Sequence, residues 1–175
     1  MMKENAMYAH QTNLDRRGEG AASARVETAV ARLSHEDSKL GEHLLNAAVA
    51  GAVIARQPAD TILRAEAAEA WNSIKPVIDH HLGSEEDIVL PWAKSRRDFP
   101  HDLILRAREQ HVRLSKLAQV VDSTSFITGS DEEVAKAGAA LTAFAVCLDD
   151  LIDGEERDLF PMVQRSLYAQ SSDAA

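Results

Sequence analysis

The chain has 175 residues and a formal net charge of −9, which weighs against nucleic acid or an anionic membrane surface as its main partner, because either would repel it. With 8 Gly, 5 Pro and 5% aromatic residues, the composition favours helix over sheet in a single domain large enough for a substantial core. The lone Cys147 rules out an internal disulfide and an iron–sulfur cluster and fits a reducing compartment.

Residues 1–24 are polar, show no apolar period and read as a flexible arm. Met1–Arg25 holds no apolar run of the signal-peptide kind, so a cytoplasmic location is expected. Residues 25–168 read as four helical stretches. Helix A spans about Val26 to Arg56, with an expected inner stripe of Leu40, His43, Ala47, Ala50 and Ile54. Gln57-Pro58-Ala59-Asp60 breaks it, and Asp60 or Thr61 caps the next helix. Helix B runs from about Ile62 to Lys94, with a kink expected at Pro76 and an end or bend at Pro91. Pro100 opens helix C, which continues to about Val121. A polar loop over 123–130 leads to Asp131, the expected cap of helix D, and Glu133 suits its first turn. Helix D reaches about Leu167, with a bend at Gly154 or Pro161, and 169–175 read as a frayed tail. Four helices with short connections predict an all-α, up-down-up-down four-helix bundle.

One phrase is written twice, 70 residues apart. Residues 79–91 read DHHLGSEEDIVLP, and residues 149–161 read DDLIDGEERDLFP. The first copy contains H-x-x-x-E as His81 and Glu85, which stand one turn apart on one helix face and can share a metal ion. The second keeps Glu155 but carries Leu151 in the histidine slot. Glu155 falls on the stripe Leu141, Ala145, Leu148 and Ile152. An acid there is costly unless it is paired or metal-bound. His111 falls with Ile104, Ala107, Leu114 and Ala118 on helix C. With His43, each of the four helices offers an inward His or Glu, as in carboxylate di-iron bundles. Taken singly, an inward His is more often a hydrogen-bonded core residue and a Glu pair a solvated face. Their combination points to a metal site. Trp71 and Trp92 read as packing residues, His10, His35 and His101 as arm, surface or terminal residues, and His80 as a surface residue or one that backs a metal ligand.

These residues resemble the hemerythrin-like HHE cation-binding domain family over roughly 26–167. The family pattern is a His on helix A, H-x-x-x-E on helix B, a His on helix C and H-x-x-x-E on helix D. It falls on His43, His81 with Glu85, His111, and Leu151 with Glu155. The resemblance implies two non-heme irons bridged by the two glutamates and capped by imidazoles. It places His43, His81, Glu85 and Glu155 around one iron, and His111 with the two bridges around the other. The departure at Leu151 therefore implies an asymmetric site, with one or two iron ions bound. Cys147, Glu36 and His35 stand as alternative ligands. Manganese and zinc are weaker candidates than iron; carboxylates mixed with imidazoles suit iron or manganese, whereas zinc prefers a compact N/S cage.

The function so implied is binding of, or reaction with, a small oxidant: O2, peroxide or nitric oxide. A peroxide- or oxygen-reactive oxidoreductase is the enzymatic form of it. An iron-sensing or iron-donating module and a scaffold with a degenerate site are the alternatives. No nucleic-acid or membrane partner is expected, and homo-oligomer formation is left open.

Overall fold

The computed structural model describes residues 2–173, and side chains within 19–169 except Lys39. Helix α1 spans Met2–Arg56, α2 Thr61–Ser84, α3 Leu90–Lys94, α4 His101–Asp122, α5 Asp131–Gly154 and α6 Phe160–Asp173. Two π-helical turns, Glu85–Val89 and Glu155–Leu159, join α2 to α3 and α5 to α6. Among the described residues there is no strand, and no helix is long and apolar enough to cross a membrane. The expected frayed tail falls largely outside the residues whose side chains are described. The expected N-terminal arm is drawn as part of α1, and Val26 is the first buried residue among the described side chains.

Local chemistry sets the helix starts. Asp60 accepts from the backbone N–H groups of Ile62 and Leu63, satisfying two of the free donors at the start of α2. At α5 the cap is Ser130 rather than Asp131. The Ser130 hydroxyl accepts from the N–H of Glu133, and the Glu133 carboxylate accepts from the N–H of Ser130. This reciprocal box satisfies donors at both positions, which a cap one residue later would not do. Helix α2 runs on through Pro76.

The π-turns explain the duplicated phrase. In each, the first glutamate accepts from an N–H five residues on: Leu90 to Glu85, and Phe160 to Glu155. Pro91 and Pro161 come next. A proline inside a regular α-helix lacks a donor and crowds the carbonyl four residues back. Widening the preceding turn relieves that conflict, so the helical path continues where Pro91 alone predicts an end. π-turns of this kind are frequent at functional sites.

The bundle has three layers. One apolar layer holds Leu40, Leu44, Ala47 and Ile54 of α1, Ile74 and Ile78 of α2, Leu114 of α4, and Phe144, Leu148 and Leu151 of α5. Trp71 meets Phe144 edge-to-face there, with ring centroids 5.1 Å apart. The other apolar layer holds Val26, Val30 and Leu33 of α1, Val89, Leu90, Trp92 and Ala93, Ile104 and Ala107 of α4, and Leu159, Phe160 and Val163. The order of layers reverses from each helix to the next. Between the layers, every helical path carries buried polar residues: Asp37, His81 with Glu85, His111, and Glu155.

Helices α1 and α5 approach closely through paired glycines. A Cβ on Gly51 would lie 2.6 Å from the Gly138 carbonyl oxygen, and one on Gly138 would lie 2.6 Å from Ile54 Cγ2. The contact brings the backbones of α1 and α5 together near the C-terminal end of α1.

Candidate metal centre

The stripe that α1 buries is Leu33, Asp37, Leu40, Leu44, Ala47, Gly51 and Ile54, spaced alternately four and three. Asp37 lies on it. His43 lies one position, about 100°, from Leu44 and is exposed. The expected inward histidine of helix A is thus replaced in the polar layer by an aspartate. Glu36 is half-buried and 3.8 Å from His80 Nε2, and His35 is exposed. His80 and His101 are exposed, while Trp71 and Trp92 are buried packing residues.

The structure brings His81, Glu85, His111 and Glu155 together. His81 Nε2 lies 3.1 Å from Glu155 Oε2 and 3.8 Å from Glu85 Oε2. His111 Nε2 lies 2.9 Å from Glu85 Oε2. Asp37 Oδ1 is 3.2 Å from His81 Nδ1, yet the two are out of line for a hydrogen bond. Two triads result, Asp37–His81–Glu155 and Glu85–His111–Glu155, each with donor atoms within 4.8 Å of one another. They share Glu155. Cys147 is buried but belongs to neither.

Three buried carboxylates in one layer repel one another. Burial, then the charges of Glu85, Glu156 and Glu36, push the Asp37 carboxyl up to about 7. Glu155 is raised by burial and by Glu85. Burial lowers the pKa of His81. Burial also opposes the charged form of His111, but hydrogen bonds to Glu85 and Glu86 outweigh it and hold that imidazole up. Both Asp37 oxygens, Glu85 Oε1 and Glu155 Oε1 are buried with no hydrogen-bond partner. Buried carboxylate oxygens are costly unless a proton or a cation meets them. Unpaired oxygens beside two imidazoles are a donor set that fits a metal ion. Its N/O composition, without thiolate, matches iron or manganese better than a structural zinc cage.

The hemerythrin HHE cation-binding domain model matches residues 28–163. The chain belongs to the hemerythrin HHE cation-binding family. The match takes in every polar residue of the central layer and both π-turns. Nothing among curated proteins or solved structures matches the chain.

Against the ligand set expected from the sequence, two positions stand out. Asp37 stands in the polar layer on α1 while His43 faces out, and Leu151 is buried in the histidine slot one turn before Glu155. Sequence reasoning missed Asp37 because it set the α1 stripe at 40, 43, 47, 50 and 54. The alternation 33-37-40-44-47-51-54 was present to be read, with one acid among apolar or small residues. Beside Leu151 lies a half-open pocket of about 110 Å³ that reaches Glu155, bordered by Leu103, Ala107 and Leu159 and by the charged side chains of Arg106, Asp150, Arg157 and Asp158.

Proposed function

We propose that the polar layer holds non-heme iron and that the protein binds or reacts with a small oxidant such as O2, peroxide or nitric oxide. The observation that carries this reading is the pair of triads sharing Glu155, with buried carboxylate oxygens that have no other partner. Asp37, His81 and Glu155 would hold one ion; Glu85 and His111, with Glu155 shared, would hold a second. Ferrous iron, when bound, supplies the electrons and the open coordination that a small oxidant needs.

The chain's own residues supply the rest. The two apolar layers keep bulk water from the site on both sides. Burial favours the protonated form of Asp37, so a metal ion held there would compete with that proton, and loading should release acid. Leu151 contributes no ligand atom, and the adjoining pocket, which Glu155 helps to line, would admit a small molecule on that side. A cavity of about 110 Å³ accommodates a few small molecules, given about 30 Å³ for a water in the liquid. That size and the missing ligand support reaction over tightly enclosed carriage.

The test is iron content by elemental analysis beside anaerobic mixing of the ferrous protein with O2 or peroxide. Bound iron, oxidised on mixing, is expected in the wild type. His81→Ala and Asp37→Ala should each lose metal affinity by tenfold or more, and His43→Ala should keep it. Manganese or zinc in place of iron, or iron lost in His43→Ala and kept in Asp37→Ala, would overturn the assignment.

A further inference from the structure

The two imidazoles of the polar layer are backed differently. His81 Nδ1 faces the buried Asp37, out of line. His111 Nδ1 instead lies 2.9 Å from Glu86 Oε1, while its Nε2 lies 2.9 Å from Glu85 Oε2. Adjacent glutamates of one π-turn thus grip both nitrogens of a histidine on α4. Glu85 points inward and is fully buried; Glu86 sits one position round, with a side chain 41% exposed. Arg108, one turn before His111 on α4, places Nε 3.7 Å from the other Glu86 oxygen. Glu86 is in neither triad.

We propose that Glu86 is the positioning residue for His111. It accepts from Nδ1–H, which fixes the ring plane and the tautomer and leaves the Nε2 lone pair aimed into the polar layer. This rests on His111 being a metal ligand, as proposed above. A neutral imidazole carries one N–H, and a carboxylate at Nδ1 keeps it there. Arg108 steadies the carboxylate from outside. Such backing matters most in this half of the site, where Leu151 supplies nothing.

The experiment is a Co(II) titration against a competing chelator, followed by the visible d–d spectrum, on wild type, Glu86→Ala, Glu86→Gln and His81→Ala. Melting of each metal-free variant serves as the folding control. Glu86→Ala should weaken Co(II) binding by about 10- to 100-fold and alter the spectrum. Glu86→Gln should restore both to near wild type, because its amide oxygen still accepts from Nδ1–H. Wild-type affinity and spectrum in Glu86→Ala, with binding lost in His81→Ala, would overturn this inference alone. Equal weakness in the Ala and Gln variants would also overturn it, since orientation would then not be the cause. Failure of the wild type to bind Co(II) would remove the metal-site reading and this inference together. Should Glu86→Ala not fold, the Gln variant and Arg108→Gln decide: loss of affinity in Gln overturns the proposal, and loosening of a few-fold in Arg108→Gln supports it.

Discussion

At the residue scale, single positions set what the polar layer can do. Leu151 is 1% exposed and one turn before Glu155, so a side chain there faces the same interior. Leu151→His should raise metal occupancy toward two ions per chain, measured by elemental analysis after reloading. The same variant should melt lower when metal-free, because a buried imidazole without a partner costs about 1–3 kcal/mol. A variant with unchanged metal content would show that residue 151 does not reach the site. Four of the five residues named from sequence, His81, Glu85, His111 and Glu155, meet in this layer. They were legible because they are locked into a duplicated phrase or an unbroken apolar stripe. His43 is exposed and Asp37 takes the layer position on α1, because helix A offered two overlapping three-four stripes. A histidine and an aspartate six residues apart on one helix cannot be ranked by spacing alone.

At the element scale, helix crossings and turns decide the geometry. Gly→Ala in a helix ordinarily adds about 1 kcal/mol of stability. At Gly138 the new Cβ would collide with Ile54 Cγ2 and with the Gly51 carbonyl, and overpacking of that kind costs about 1–3 kcal/mol. Gly138→Ala should therefore destabilise the fold, whereas Gly41→Ala, which meets nothing within 4 Å, should be neutral or stabilising. Urea denaturation of both separates the two effects; equal midpoints would refute the close crossing. The π-turns were half visible: Pro91 and Pro161 announced a disturbance, but its resolution needed the packed layers. Val89 and Leu90 on one side, and Leu159 and Phe160 on the other, are all buried. Burying two successive residues after each glutamate fits a widened turn.

At the scale of the whole molecule, the buried acids couple folding to pH. Asp37 is raised from 3.8 to about 7, so between those values the folded chain binds protons that the unfolded chain has lost. Stability of the metal-free protein must then fall as pH rises through that window. Glu155 and His111, both raised, act in the same direction. His81 is lowered and opposes them as pH rises toward its unfolded value. Metal-free protein should thus lose roughly 5–10 °C of Tm between pH 4 and pH 7. Metal-loaded protein should show the reverse slope, because ions bind the deprotonated groups. Calorimetry with and without chelator checks both signs; a metal-free Tm that climbs from pH 4 to pH 7 would contradict them.

By itself the sequence determined the helical class, the repeated hairpin and the inward residues of helices B, C and D. Those follow from composition and from periodicity, which are properties of a single helix. Only the tertiary structure decided that Asp37 rather than His43 enters the layer, that each glutamate pair opens a π-turn, and that Glu86 meets the outer nitrogen of His111. Each depends on how far one helix is rotated and shifted against another. The Gly51–Gly138 contact and the two apolar layers set that rotation, and no one segment encodes it.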